Sequence, residues 1–273
     1  MINGFQREKK TVRVLAIGDV VGQPGRTCVE ELLPRIKREL NPCFIIANGE
    51  NAAHGFGLTR KTADDLLAAG VHVLTGGNHT FDNADIYNFI AKDERILRPA
   101  NYPPDTPGRG WTVQTIGATG LQIAVINLMG RAFMVVHTDC PIRTLEGVLA
   151  EIPKDIRIRV LDYHAEATSE KYVLCRYFDG ELSFIFGTHT HVQTADEQLL
   201  PKGTAYISDL GMTGAMDSVL GMRSDLVSER MITSRPVRLE PATEGLALHG
   251  VIADIDPDSG LTTAIKRVRY ELL

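Results

Sequence analysis

The chain has 273 residues, 44% hydrophobic and 23% charged, which are the proportions of a folded α/β protein with room for one large domain or two small ones. Its formal net charge of −5 gives no basic footprint, so long nucleic acid is not expected as a partner, although a local anion site is still allowed. The four cysteines, Cys28, Cys43, Cys140 and Cys175, show no C-x-x-C pairing and fit a reducing compartment; with no signal-peptide core and no apolar run near the ~18 residues that span a bilayer, the expected setting is cytoplasmic, with no membrane partner.

In chain order, residues 12–17 read as a strand that breaks at Gly18-Asp19, and Pro24 opens a helix to about Leu40. The pattern recurs. Residues 43–47 form a strand that stops at Asn48-Gly49-Glu50-Asn51, a helix runs from Thr59 to about Gly70, and the strand 71–74 stops at Gly76-Gly77-Asn78-His79. A helix over 83–92 and a proline-rich stretch over 99–107 follow, after which strand signals dominate. Residues 112–116 and 121–127 flank Gly117-Ala118-Thr119-Gly120 as a hairpin; the strand 156–163 ends at His164; 169–177 is helical; and 182–186 ends at Gly187-Thr188-His189-Thr190-His191. Residues 246–256 and 261–273 read as a closing hairpin, whereas 212–244 is the least regular stretch and reads as a lid or an oligomer arm.

The placement of metal-ligand residue types is the most informative feature. Asp19, Glu50, Asn51, Asn78, His79, His164, His189 and His191 all fall where an apolar run ends, and side chains at strand ends can converge on one pocket. Hard oxygens mixed with imidazoles suit divalent or trivalent transition metals, so the set reads as a binuclear hydrolase. Taken singly, each has a plainer alternative: Asp19 could cap the helix at Pro24, and Glu50-Asn51 could satisfy its own turn. His79 could be a core histidine. The i, i+2 pair His189/His191 is the most specific motif by spacing, because an extended segment puts both imidazoles on one side. His54 could line the pocket, but it reads with His72, His137 and His249 as packing or surface.

The ordered set Gly18-Asp19, Gly49-Glu50-Asn51, Gly77-Asn78-His79, His164 and Gly187-x-His189-x-His191 resembles the calcineurin-like metallophosphoesterase superfamily. The wording D-V-V-G-Q-P-G-R, G-E-N-A-A, G-G-N-H-T-F-D and H-V-Q-T-A-D-E resembles its YmdB-like branch, over nearly all the chain beyond the first ten residues. Two positions depart from the wider superfamily: Val21 stands where a histidine is usual, and Glu50 where an aspartate is usual. Both are the expected form in the YmdB-like branch, with Asn51 as the replacement ligand.

The resemblance implies an α/β four-layer sandwich, two mixed β-sheets flanked by helices, formed by one domain over 11–273 after an extension over 1–10. It implies two metal ions, iron or manganese with zinc open. Asp19, Glu50, Asn51 and His191 would hold one; Glu50, Asn78, His164 and His189 would hold the other. Cations ~3.5–4 Å apart make a bridging hydroxide available at neutral pH to attack phosphorus in line. His79, beside a ligand yet not needed as one, is the candidate general acid for the departing oxygen. The implied substrate is a small phosphodiester, 2′,3′-cyclic nucleotides first and 3′,5′-cyclic nucleotides behind them. Two alternatives stay open, a metal-bearing regulatory or RNA-processing partner whose hydrolysis is incidental and a binuclear redox or oxygen-handling protein; a homo-oligomer also stays open as the assembled state.

Overall fold

In β1 (Val12–Ile17), Leu15 and Ile17 face one way and Val14 and Ala16 the other, and all four are fully buried. Such a strand has to be covered on both faces. In the computed structural model, which describes residues 11–272, it is. The chain continues through β2 (Asp19–Val20), α1 (Gly22–Leu40), β3 (Phe44–Asn48), α2 (Arg60–Ala69), β4 (Val73–Thr75), β5 (Trp111–Thr115), β6 (Gln122–Met129) and α3 (Pro141–Glu151). It then forms β7 (Ile158–His164), α4 (Thr168–Tyr177), β8 (Phe184–Thr188), β9 (Gln198–Leu199), β10 (Ala205–Ile207), β11 (Met212–Ala215), α5 (Ser224–Thr233), β12 (Leu246–Ile255) and β13 (Thr262–Glu271).

Seven strands make the first sheet, in the order β2-β11-β12-β1-β3-β4 with β13 against β12, and six make the second, β5-β6-β7-β8-β10-β9. Leu15 and Ile17 pack with Val29, Leu33 and Ile36 of α1 and Leu66 of α2 on the outer face of the first sheet. Val14, Ala16 and Ile46 meet Val125, Val160 and Phe186 between the sheets. On the outer face of the second sheet, Ile126 and Leu161 pack on Leu145 and Val148 of α3 and Leu174 of α4. The order of layers is therefore helix, sheet, sheet, helix, as the resemblance implies.

The parallel set β1, β3, β4 and the parallel set β6, β7, β8 both deliver their carboxyl ends toward the site, which is where the ligand-type residues stand. Helix ends fix these crossovers locally. The Thr59 side chain accepts from the Thr62 N–H at the start of α2, and Gly70 closes that helix at φ 106°, a conformation that favours glycine.

Two expectations need correction, and one helix was missed. Residues 83–92 are not an α-helix but hold only a 3₁₀ turn, Ala84–Asn88, because Asn83 accepts from the Asp85 N–H and the local side-chain bonds compete with a longer helix. Helix α3 was not anticipated, though Pro141 in its first turn and buried Leu145 and Val148 follow helix rules. The irregular stretch 212–244 contains β11, paired with β2 and β12, and α5, which buries no residue. The expected extension over 1–10 lies outside the described residues. No helix among the described residues is long and apolar enough to cross a membrane.

Candidate metal centre

Asp19 lies just past β1, Glu50 and Asn51 just past β3, and Asn78 past β4, so three parallel strands place oxygen-bearing side chains at the carboxyl end of the first sheet. The second sheet brings His164 at the end of β7 and His189 and His191 just past β8. Gly77 lets these groups meet: a Cβ there would collide with Glu50 Oε2 and His164 Nε2. The cradle is thus one that any other residue would fill.

Four acceptor-type atoms converge on one point. His164 Nε2 lies 2.9 Å from Asn78 Oδ1, 3.1 Å from Glu50 Oε1 and 3.1 Å from His189 Nδ1. Glu50, His164 and His189 each offer an atom within 4.8 Å of the others, the spacing of a cation's ligands. The remaining residues form an adjoining group: His191 Nε2 is 3.2 Å from Asn51 Nδ2 and 3.9 Å from Asp19 Oδ1, and Asn51 Nδ2 is 3.4 Å from Glu50 Oε1. A half-turn of the Asn51 amide presents its oxygen to the same space. Glu50 is the carboxylate that touches both groups.

The plainer reading of Asp19 as a helix cap does not hold, because α1 is preceded by Val21 with no side-chain cap. Asp19 Oδ2 instead accepts from the His189 N–H at 3.2 Å, while Oδ1 is buried without a hydrogen-bond partner. An unpaired buried carboxylate oxygen is costly, and a cation satisfies it. The donor set therefore fits divalent metal ions.

Residues behind the candidate ligands, with no motif to mark them, hold these side chains in place. Thr188 Oγ1 donates to Asp162 at 2.7 Å, so it accepts from His164 Nδ1–H at 2.9 Å and leaves His164 Nε2 as the free lone pair. Glu166 lies 3.1 Å from His189 Nε2 and fixes that ring in the same way. His189 and His191 adopt φ 101° and 64°, strained for non-glycine residues. A buried ion pair pins the loop that carries them. Lys171 Nζ donates to Thr188 O and to Asp209 Oδ2, both at 3.0 Å, and Asp209 also accepts from the Thr190 and Gly211 N–H groups.

The electrostatics ask for more positive charge. Burial pushes the Asp19 carboxyl up, against the pull of His191 and His164 and with the help of Asp209 and Glu50. Burial also penalises the Glu50 carboxylate, but the charge and hydrogen bond of His164 prevail and hold it at about 2. For His164 burial favours the neutral ring, yet Glu50, Asp19 and Asp162 together lift it to about 9. Burial and then the charge on His164 push His189 down to about 3. The charge on His164 balances the Glu50 carboxylate, and a cation bound there would take over that role.

A family model described as YmdB-like protein matches residues 15–268. The chain belongs to the YmdB-like protein family. It is 47% identical over 257 residues, 94% of this chain and 96% of the relative, to a Bacillus subtilis protein called 2′,3′-cyclic-nucleotide 2′-phosphodiesterase. A crystal structure of a hypothetical protein from Thermus thermophilus superposes with TM-score 0.88 at 40% identity, covering 95% of this chain and 99% of that one. That of a novel phosphatase from Mycoplasma pneumoniae superposes with TM-score 0.89 at 31% identity, covering 96% and 94%. The family resemblance read from the motifs thus stands.

Of the remaining expected site residues in this family member, His79 lines a cavity together with Glu50, Asn51, His189 and His191 but sits outside the convergent cluster. Its backbone N–H donates to Glu50 Oε2 at 3.0 Å, and its Nδ1 lies 2.6 Å from Asp82 Oδ2. His54 lines neighbouring cavities and not this one. His72 stacks on Phe44 and accepts from the Ile45 N–H, a packing role, and His137 is exposed in a loop. All four cysteines are free, and burial pushes the thiols of Cys28 and Cys175 up to about 12 and 11, which leaves them unreactive.

Proposed function

We propose that the protein is a metal-dependent phosphodiesterase acting on small phosphodiesters, with 2′,3′-cyclic nucleotides as the preferred class. The observation that carries this reading is the convergence of Glu50 Oε1, Asn78 Oδ1 and His189 Nδ1 around His164 Nε2, beside the unpartnered Oδ1 of Asp19. The activity named for the Bacillus subtilis relative supports it. In this proposal Asp19, Glu50, Asn51 and His191 hold one ion, and Glu50, Asn78, His164 and His189 the other, with iron or manganese favoured and zinc open. We take residues 11–273 as one domain, since a single core fills the space between the sheets.

When bound, the two ions supply an activated water and neutralise charge on the phosphoryl oxygens. The protein's own residues do the rest. Glu50 joins the two halves of the site, and Thr188 and Glu166 hold the rings of His164 and His189 in the tautomers that face inward. The oxygen that leaves phosphorus needs a proton. In this proposal His79 gives it, with Asp82 holding the ring through Nδ1. The regiochemistry follows the Bacillus subtilis relative's name: the bond to the 2′ oxygen breaks, and the product keeps a 3′-phosphate.

Turnover of an aryl phosphodiester such as bis(p-nitrophenyl) phosphate tests the reading. Activity is expected to vanish after chelation and to return with Mn²⁺ or Fe²⁺. Undiminished activity in chelated protein, or none after metal loading, overturns it.

A further inference from the structure

We propose that a second cavity beside the candidate metal centre binds a phosphodiester group one nucleotide away, so that the preferred substrate is a short RNA end carrying a 2′,3′-cyclic phosphate. This rests on the phosphodiesterase reading above and extends it to substrate length. The cavity over the ligand cluster has a volume of about 390 Å³, and a neighbouring one of about 600 Å³ shares Phe56 and Leu239 with it as a common wall. Beyond that wall stand Arg230, Arg238 and Glu240. The Glu240 carboxylate is engaged by Arg223 at 3.1 Å, whereas neither Arg230 nor Arg238 is paired with a carboxylate among the described residues. Two unpaired guanidiniums in a chain of net charge −5 make a local anion site, with the fork geometry that suits phosphate.

The position of this second cavity is set by the leaving group. In a 2′,3′-cyclic phosphate both ester oxygens belong to one ribose, so the sugar, its base and its 5′ oxygen extend from phosphorus on the side of the departing oxygen. In the proposed reaction that is the side on which His79 gives its proton. Phe56 meets His79 edge-on, ring centres 5.0 Å apart, so the common wall begins beside the proton donor. Phe56 is also 38% exposed, and an aromatic face of this kind stacks a base without reading its identity. A free cyclic mononucleotide ends in a 5′-hydroxyl and leaves the arginines unused. An oligonucleotide continues past the wall and places its next phosphodiester between Arg230 and Arg238. Two arginines suit one such group, which agrees with the absence of a footprint for long nucleic acid. The reaction class that supplies such ends is cleavage of RNA by attack of a 2′-hydroxyl on the adjacent phosphorus.

The test compares kcat/KM of the Mn²⁺-loaded protein on 2′,3′-cyclic AMP and on the dinucleotide ApA ending in a 2′,3′-cyclic phosphate. The dinucleotide is expected to be favoured by about tenfold or more, the worth of one good charge-assisted contact. In an Arg230→Ala/Arg238→Ala variant that ratio should fall toward one. Calorimetric binding of the two 3′-phosphate products supplies a readout that does not depend on turnover. Equal kcat/KM for the two substrates in the native protein, or a ratio that survives both substitutions, overturns the proposal. If neither substrate is turned over, the activity reading fails, and the binding comparison alone decides the second cavity: equal affinity for both products overturns it there too.

Discussion

His164 Nε2 and His189 Nδ1 face each other at 3.1 Å, although the outer nitrogen of each ring is already committed, one to the Thr188 hydroxyl and the other to the Glu166 carboxylate. Two lone pairs cannot be held this close without a proton or a cation between them. With His164 lifted to about 9, a proton fills that role until a metal displaces it.

The shared position of Glu50 yields the first prediction. Its Oε1 lies 3.1 Å from His164 Nε2 and 3.4 Å from Asn51 Nδ2, so Glu50→Ala removes an oxygen from both halves of the site. Elemental analysis of Mn²⁺-loaded protein should find the metal content halved or lost, with turnover abolished. Full occupancy in this variant refutes the shared-ligand assignment.

His79 is expected to behave differently. It sits beside the cluster and outside it, so His79→Ala should keep its metal and lose ~10²–10⁴ in kcat on alkyl phosphodiesters, the usual size of general acid catalysis. With a nitrophenolate leaving group, which needs little protonation, the loss should shrink. An equal loss on both kinds of substrate removes His79 from the acid role.

Much of this site could be read in the sequence because most of the ligand-type residues end a strand long enough to be recognised, as with Val12–Ile17 before Asp19 and Ile158–His164 before its own last residue. What escaped notice were the groups behind the ligands. Asp162 is a carboxylate inside the apolar run V-L-D-Y-H, a visible signal, because a buried charge in a strand needs partners; it has three, in Asn48, Thr75 and Thr188. Lys171 and Asp209 carried no such mark, since they meet only in the fold. Strands β9 to β11 are two to four residues long, too short for periodicity to show, and α5 lacks a buried stripe.

The buried pair Lys171 and Asp209 predicts a large stability effect. Lys171→Met strands a buried carboxylate and should destabilise the protein by ~3–5 kcal/mol in urea unfolding. Adding Asp209→Leu should not restore stability, because Asp209 also holds the Thr190 and Gly211 N–H groups beneath the strained His189 and His191. A loss below ~1 kcal/mol, the size of an exposed pair, shows that the loop does not depend on this clamp.

His249 predicts a pH effect away from the site. Both its ring nitrogens are buried without partners, and burial, with Arg269 opposite on β13 prevailing over Glu271, pushes it down from 6.5 to about 4. The unfolded chain therefore takes up a proton that the folded protein refuses. Its contribution is intact above pH 6.5 and is lost as the pH falls through about 4. Denaturant unfolding from pH 7 to 4 should show a shallower acid loss in His249→Leu than in the native protein. Parallel curves for the two contradict this assignment.

The most direct measurement is product analysis after incubating metal-loaded protein with 2′,3′-cyclic AMP. The account predicts a single monophosphate, the 3′ isomer, formed only while the metal is present, because a sugar held in one orientation offers one oxygen to leave in line. A mixture of isomers or a predominance of the 2′-phosphate contradicts the assigned geometry, and the absence of product from protein that retains its metal contradicts the account as a whole.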